Sequence, residues 1–131
     1  MEKTELCKKA IEATINSYAP YSGFSVGAAL QTESGKVYTG CNIENASFTP
    51  TVCAERVALF KAVSEGERKF KTIAIVGSKD GKITAASPCG VCRQALSEFC
   101  SPDFEVLVVE NENSFKSFTL SELLPNSFSL D

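Results

Sequence analysis

Cys53-Ala54-Glu55 and, further along, Pro88-Cys89-Gly90-Val91-Cys92 are the stretches that decide how this sequence folds and what it can bind. The chain contains no histidine, so a transition-metal site must be built from thiolates. Cys89 and Cys92 have the Cys-x-x-Cys spacing of a thiolate metal site, and Cys53 can supply a third ligand. Three thiolates leave one position of a tetrahedral zinc ion open, and an open position is typical of a catalytic site.

Glu55 is the candidate proton carrier, because the chain has no histidine to act near neutral pH. A carboxylate beside an open zinc position can accept a proton from water and deliver it to a substrate. Residues two apart in a regular helix point in different directions, so Cys53 and Glu55 can converge only over the end of a helix. A helix N-terminus is also a place where a thiolate is favoured over a thiol.

Arg56 follows directly, three residues after Cys53 and therefore on the same side of the predicted helix. Three thiolates around one zinc ion leave a net negative charge, which opposes the ionisation of bound water. A guanidinium that donates to the thiolate sulfurs would withdraw charge and restore the Lewis acidity of the metal. We therefore expect Arg56 to contact the metal ligands, with a solvated helix charge as the alternative.

Six cysteines also allow other interpretations. A structural zinc site would take Cys41 or Cys100 as its fourth ligand, because closed four-cysteine sites are common. A thioredoxin-like redox pair at Cys89 and Cys92 would leave the first stretch without a role. Disulfides are disfavoured, because no apolar secretory segment begins the chain and no stretch is long enough to span a membrane. We expect a cytoplasmic protein with reduced thiols. The cysteines outside the metal site are then free thiols: Cys7, Cys41 and Cys100.

Length and charge bound the architecture and the partners. A chain of 131 residues predicts one domain, residues 1–131, which is large enough to bury a core. The net charge is −3, and the lysines and arginines are scattered in ones and twos. This pattern does not indicate the basic surface that binds a polyanion, so neither nucleic acid nor a membrane is an expected partner.

Helical and strand patterns alternate along the chain. Apolar spacing predicts helices over about residues 2–18, 52–64 and 90–99, with a short helical turn over 120–124. Strands at 24–30 and 36–41 are predicted to form a hairpin, and apolar runs predict buried strands at 72–76 and 104–109. The order indicates an α/β domain of three layers, whose sheet begins with a hairpin and continues through crossover helices.

Four stretches in combination resemble the homotetrameric type of cytidine deaminase, whose zinc site contains only cysteine ligands. Cys-Ala-Glu alone would be a weak signal, but the matching stretches spread over most of the chain. The resemblance implies a three-layer α/β/α sandwich with a mixed five-stranded sheet and one Zn²⁺ per chain. The stretches are Tyr18-Ala19-Pro20-Tyr21-Ser22-Gly23-Phe24-Ser25-Val26-Gly27-Ala28-Ala29-Leu30, Gly40-Cys41-Asn42-Ile43-Glu44-Asn45-Ala46, Cys53-Ala54-Glu55-Arg56 and Ser87-Pro88-Cys89-Gly90-Val91-Cys92-Arg93-Gln94.

The resemblance implies a role for each matching position. Glu55 would carry the proton, and the zinc ligands would be Cys53, Cys89 and Cys92. Phe24 would pack against the pyrimidine ring, and the backbone of Ala54 would contact the base. The segment Asn42-Ile43-Glu44 would bind the sugar, with Asn42 and Glu44 holding the ribose hydroxyls.

Two further positions are implied to act across a subunit boundary. Phe128 would reach into the site of a neighbouring subunit. Phe48 stands where many family members carry tyrosine, so this chain lacks a phenolic hydroxyl near the implied boundary. Without the resemblance, local structure would explain several of these residues. Phe24 would be a core aromatic at the start of a strand, and Asn42 and Asn45 would be turn-forming residues. Glu44 would be a solvated loop carboxylate, and Phe128 would be a tail residue docked on its own domain.

The implied reaction is the zinc-dependent hydrolytic deamination of cytidine and deoxycytidine to uridine and deoxyuridine, a step of pyrimidine salvage, catalysed by a homotetramer. A polynucleotide or tRNA deaminase would need a basic strand-binding surface. A deaminase of a nucleoside antibiotic such as blasticidin S would share the cysteine-only site. A non-enzymatic zinc module would require a fourth protein ligand.

Overall fold

The computed structural model describes residues 1–130, which form one mixed β-sheet with helices on both faces. Asp131, the last residue of the predicted domain, lies outside the described residues. The helices are α1 (Lys3–Ala13), α2 (Ala54–Ser64), α3 (Gly90–Phe99) and α4 (Leu120–Leu123), with a 3₁₀ turn at Thr14–Asn16. The strands are β1 (Ser25–Thr32), β2 (Val37–Cys41), β3 (Phe70–Lys79), β4 (Lys82–Thr84), β5 (Glu105–Asn111) and β6 (Ser114–Thr119).

Five strands lie in the order β2-β1-β3-β5-β6, and the short β4 pairs with the end of β3. The β3–β5 pair is parallel and the other pairs are antiparallel, so the predicted mixed α/β sheet is confirmed. The sheet has six strands rather than five because the chain reverses at Asp80-Gly81. Both residues have positive φ, 52° and 77°, which is the backbone of a two-residue hairpin turn.

Strand β6 is the second strand that the sequence analysis did not predict. Phe115 and Phe118 lie on opposite faces of the strand and contribute to the two different core clusters. The following turn of helix is the predicted one, and Thr119 and Glu122 form its capping box. The domain itself therefore covers the tail as far as Leu123.

The three-layer α/β/α arrangement is confirmed by how residues alternate along the central strands. Ala29 faces α1, together with the buried side chains Leu6, Cys7 and Ala10 of that helix. Leu30, the next residue, faces the opposite layer, which contains α2 and α3. Successive side chains of a strand point to opposite faces, so a central strand covered on both sides is apolar throughout.

The first turn of α2 packs directly against β2 of the β1–β2 hairpin, and this contact fixes the position of the candidate site. A Cβ atom at Gly40 of β2 would lie 2.5 Å from the carbonyl oxygen of Ala54 and 2.6 Å from the backbone nitrogen of Ala58. The helix begins at Ala54 rather than Val52, because Val52 pairs with Ile43 in an isolated β-bridge. Any side chain larger than glycine's at position 40 would therefore displace the first turn of α2.

Helix α1 is shorter than predicted. It ends at Ala13, where the Thr14 hydroxyl donates a hydrogen bond to the carbonyl oxygen of Ile11 at 2.6 Å and the chain tightens into the 3₁₀ turn. Within residues 1–130, none of the helices combines the length and the hydropathy needed to cross a bilayer.

Candidate active site

Three cysteines meet at the N-terminal ends of α2 and α3. Cys53 is the N-cap of α2, Cys89 is the N-cap of α3, and Cys92 lies in the first turn of α3. Their Sγ atoms all lie within 4.8 Å of one another, with 3.6 Å between Cys53 and Cys89 and 3.5 Å between Cys89 and Cys92. Two sulfurs bound to one tetrahedral zinc ion lie about 3.8 Å apart. The three thiols therefore fit a zinc ion without a large rearrangement.

The other cysteines lie elsewhere in the fold. Among the described residues, neither Cys41 nor Cys100 belongs to the cluster that could hold a metal. All six cysteines are free thiols. Burial raises the pKa of Cys7 to about 11 and that of Cys100 to about 12, so both remain protonated at neutral pH. The cluster thus offers three protein ligands, and the closed four-cysteine site is not formed.

The pKa values of Cys53 and Cys92 are shifted in opposite directions. A hydrogen bond from Cys92, assisted by the contact with Arg56, lowers the pKa of Cys53 to about 5 despite its partial burial. The same hydrogen bond, together with burial, raises the pKa of Cys92. The cluster therefore brings together thiols that are hydrogen-bonded to one another, and a bound cation would replace these hydrogen bonds.

Glu55 is buried beside this cluster, with 3% of its surface exposed. Its Oε1 atom has no hydrogen-bond partner within the described part of the chain. Burial, with the added effect of charge on Cys53, raises the pKa of Glu55 to about 7. Because Cys53 has an extended backbone and precedes the helix, the two residues converge over the helix end, as the sequence analysis requires.

A cleft of about 500 Å³ opens onto the cluster, which is within the range of small-molecule sites. One wall is formed by Phe24, Asn42 and Glu44, and the floor contains Cys53 and Glu55. The opposite wall is the segment before α3, which contributes Ala85, Ala86, Ser87 and Cys89. Neither a lysine nor an arginine is among the described residues that line the cleft.

The ring of Phe24 approaches β3 closely because Gly77 has no side chain. A Cβ atom at Gly77 of β3 would lie 2.4 Å from Cζ of Phe24. Sequence analysis did not single out Gly77, although a glycine that follows an apolar strand run is a known signal of close approach. The residue is half-buried and borders the cleft.

Asn42 is almost fully engaged by the protein. Its Oδ1 atom accepts hydrogen bonds from the Ser17 hydroxyl at 2.5 Å and from the backbone N–H of Val26 at 2.8 Å. Its Nδ2 atom donates to the carbonyl oxygen of Phe24 at 2.9 Å. A side-chain amide has two donor hydrogens, so one N–H of Asn42 remains for a ligand.

Glu44 is held by the turn that precedes Phe24. Its Oε1 atom accepts hydrogen bonds from the backbone N–H groups of Tyr21, at 2.9 Å, and Ser22, at 3.1 Å. Its Oε2 atom accepts a hydrogen bond from the Ser22 hydroxyl. These hydrogen bonds, first the one from the Ser22 hydroxyl, lower the pKa of Glu44, so the carboxylate is ionised at neutral pH.

Four other residues proposed from the sequence do not line the cleft of their own chain. Ala54 is fully buried in the core, so only its backbone is placed near the cluster. Ile43 exchanges backbone hydrogen bonds with Val52 and leaves 44% of its surface exposed. Phe48 has a positive φ of 60° and is 76% exposed. Phe128 is 66% exposed.

Arg93 is a residue whose position the sequence alone did not explain. Its guanidinium donates to the carbonyl oxygens of Pro88 and Leu123, each at 2.7 Å, and to the Ser87 hydroxyl at 3.1 Å. It therefore fixes the cleft wall before α3 to the C-terminal helix. Arginine beside a Cys-x-x-Cys pair is too common a surface residue for its sequence position to reveal this role.

Comparison with known proteins agrees with this geometry. The model of a family described as the cytidine and deoxycytidylate deaminase zinc-binding region matches residues 1–108. A cytidine deaminase from Sporosarcina psychrophila is 44% identical over 129 residues, covering 98% of this chain and 93% of the relative. The crystal structure of a cytidine deaminase from Burkholderia pseudomallei superimposes with a TM-score of 0.89 at 42% identity, covering 98% of this chain and all of that one (100%).

An antibiotic-modifying enzyme is also similar. A blasticidin-S deaminase from Bacillus cereus is 39% identical over 105 residues, covering 76% of this chain and 74% of the relative. The similarity to it extends over less of the chain than the similarity to the first relative.

Proposed function

The chain belongs to the cytidine and deoxycytidylate deaminase family, and from this premise we propose that it converts cytidine and deoxycytidine to uridine and deoxyuridine with one zinc ion per chain. The observation that carries the proposal is the buried carboxylate of Glu55 beside three convergent thiols, at the floor of a ligand-sized cleft. Water is the second substrate and ammonia the second product of this hydrolysis.

Cys53, Cys89 and Cys92 would hold the zinc ion, and a fourth position would remain open to water or substrate. When bound, the ion supplies Lewis acidity, which makes water a better nucleophile at neutral pH. Arg56 is the counter-charge to the three thiolates, since its Nη2 atom lies 3.6 Å from Cys53 Sγ.

Glu55 is the group that moves protons. Its carboxylate accepts a proton from the attacking water and delivers it to N3 of the pyrimidine. It then takes the proton of the hydroxyl group newly bonded to C4 and delivers it to the exocyclic nitrogen, which leaves as ammonia when the C4–N bond breaks. One carboxylate can serve these transfers because each returns the proton that it has just received. A pKa of about 7 suits a group that must accept and donate at neutral pH.

Phe24 packs on the face of the pyrimidine, while the backbone of Ala54 at the start of α2 contacts its edge. Asn42 offers the sugar one donor and Glu44 offers one acceptor, because their other hydrogen-bonding positions are used within the protein. One donor and one acceptor satisfy a single hydroxyl group. This supports both nucleosides as substrates, since ribose and 2′-deoxyribose share hydroxyls outside the 2′ position.

We further propose a cytoplasmic homotetramer, in which Phe48 and Phe128 contact the site of a neighbouring subunit. Both phenylalanines are exposed on the isolated chain, although large apolar groups are usually covered. A reducing compartment suits a site that depends on three free thiols.

Incubation of the zinc-loaded protein with cytidine tests the proposed function. Uridine and ammonia should form in equal amounts, and removal of zinc with a chelator should stop the reaction until zinc is restored. Deoxycytidine and blasticidin S are assayed in parallel. Turnover of blasticidin S alone would assign the antibiotic as the substrate, and no turnover of any of the three would contradict the deaminase assignment.

A further inference from the structure

Ser22 lies between the two ligand-facing residues of the first cleft wall, and its hydroxyl contacts both. The hydroxyl donates a hydrogen bond to Oε2 of Glu44. The same oxygen accepts a hydrogen bond from the backbone N–H of Phe24 at 3.0 Å. Neither contact serves the strand pairing of β1, which begins only at Ser25.

The direction of these hydrogen bonds is fixed by their chemistry. A backbone N–H can only donate and an ionised carboxylate can only accept. The single hydrogen of the Ser22 hydroxyl must therefore point to Glu44, while a lone pair receives Phe24. Two hydrogen bonds therefore connect the backbone N–H of Phe24 to the carboxylate of Glu44 through the Ser22 hydroxyl. Their donor-to-acceptor direction is fixed.

The turn that carries Ser22 is built for this contact. Gly23 has a φ of 68°, in the left-handed region, and its N–H donates to the carbonyl oxygen of Ala19 at 3.0 Å. This tight turn directs the backbone N–H groups of Tyr21 and Ser22 at the other oxygen of Glu44. Three donors thus hold an otherwise exposed carboxylate in one orientation.

We propose that Ser22 is a positioning residue that fixes the sugar-binding carboxylate of Glu44 relative to the base-packing ring of Phe24. The inference rests on the proposed function, in which these two residues bind the two halves of a nucleoside. Without the hydroxyl, Glu44 loses one of its three donors and the Phe24 N–H loses its acceptor. The free Oε2 position of Glu44 is then no longer held at the place that a sugar hydroxyl needs.

Steady-state kinetics of Ser22→Ala test the proposal on cytidine and on 2′,3′-dideoxycytidine, whose sugar lacks both secondary hydroxyls. For cytidine, KM should rise by about tenfold while kcat stays within about twofold, because the hydrogen bond lost is to a charged group remote from the reacting atoms. For dideoxycytidine, the rise in KM should stay below about threefold, because its sugar has no secondary hydroxyl that could donate a hydrogen bond to Glu44.

Two variants control this measurement. Ser22→Thr keeps the hydroxyl and should restore KM for cytidine to within about threefold of wild type. Ser114→Ala removes a serine hydroxyl from β6, at the sheet edge opposite β2, and should change neither substrate's KM. Zinc content and the circular dichroism spectrum confirm that each variant is folded.

The outcomes separate the inference from the function on which it rests. Equal KM increases on the two substrates would show general damage to the turn and would overturn the positioning role, as would an unchanged KM for cytidine. Failure of the wild-type protein to deaminate cytidine would instead overturn the proposed function, and the inference with it.

Discussion

The Nη2 atom of Arg56 lies 3.6 Å from the Sγ atom of Cys53, one helical turn away at the start of α2. The Nε atom of the same guanidinium is buried and has no hydrogen-bond partner among residues 1–130. A buried donor without an acceptor is unfavourable, whereas a cluster of thiolates is a strong acceptor for a cation. The burial of the Arg56 guanidinium is therefore explained by its position beside the three cysteines, which become a stronger acceptor when all three are deprotonated.

Substitution of Arg56 by glutamine should weaken zinc retention and lower kcat/KM, each by about 10- to 100-fold, the usual effect of losing a group that contacts metal ligands. Competition with a chromogenic chelator measures the zinc affinity. Arg68→Gln is the matched control, because Arg68 is a second arginine near α2 but donates to the backbone carbonyl oxygens of Val63 and Glu67 rather than to a thiol. Equal zinc affinities for the two variants would contradict a role for Arg56 at the metal.

Metal content distinguishes the ligands from the other cysteines. Alanine substitution of Cys53, Cys89 or Cys92 should reduce the purified protein to well below one zinc per chain, because the cluster has only these thiols. Substitution of Cys41 or Cys100 should leave one zinc per chain. Elemental analysis of the dialysed proteins gives the ratio, and zinc loss in Cys100→Ala would point to a four-cysteine site.

Glu55→Gln should separate metal binding from proton transfer. Zinc content should remain at one per chain while kcat falls by at least roughly 10²–10⁴, the scale for a general acid–base residue. The melting temperature should not fall, because the wild-type carboxylate is buried with one oxygen unpartnered in the described structure. Glu98→Gln, on the exposed surface of α3, is the control and should change neither quantity. Near-normal turnover by zinc-loaded Glu55→Gln would assign the proton to another group.

The zinc cluster and Glu55 could be predicted from the sequence because their chemistry is local. Ligand spacing, helix starts and the absence of histidine restrict a transition-metal site to thiolates, and none of these signals depends on a tertiary contact. The α/β layers could also be predicted from the sequence, because continuous apolar runs such as Ile73–Val76 are typical of a strand covered on both faces. The short β4 and the half-polar β6 lack such runs, and both depend on pairing with strands already in place.

The parts of the site that the sequence did not reveal arise from tertiary packing. Gly77 matters because Phe24 lies on it, and Ser22 because its turn brings it to Glu44. Phe48 is not explained by its own chain, since it remains exposed at a positive φ. Residues of this kind acquire a role only from what the fold, or a second subunit, places against them.

Free nucleosides should react far better than their 5′-monophosphates. Glu44 brings a negative charge to the part of the cleft that we propose binds the sugar. Among the described residues, no lysine or arginine lines the cleft or the adjoining depression around Phe48. A phosphate there meets repulsion and uncompensated desolvation. We expect kcat/KM for CMP to be at least about 100-fold below that for cytidine. The ratio should narrow in Glu44→Gln, and comparable efficiencies in the wild-type protein would contradict this account of the sugar site.

Phe128 provides the test of assembly. Phe128 is 66% exposed, and Gln94 donates a hydrogen bond from Nε2 to its carbonyl oxygen at 3.2 Å. The backbone of the tail is therefore held against α3 while the residue stays largely exposed. If the ring closes a neighbouring cleft, Phe128→Ala should raise KM by on the order of tenfold, the value of burying an aromatic side chain, and leave zinc content unchanged. Ile15→Ala removes another exposed apolar side chain and should leave KM as it is.

Mixing inactive and weakened chains shows whether the site is shared between subunits. Phe128→Ala chains retain Glu55, and Glu55→Gln chains retain Phe128, so subunit exchange creates sites that contain both residues from different chains. Those sites should bind cytidine with the KM of the wild-type protein, and the kinetics of the mixture should resolve into a tight and a weak component. Sedimentation of the wild-type protein should show a species near four times the 14.1 kDa chain mass. A fully active monomer would refute the shared site, because its cleft would bind substrate without Phe128 of another chain. A mixture without a tight component after proven exchange would refute it as well, because Phe128 of a neighbouring chain would then not improve substrate binding.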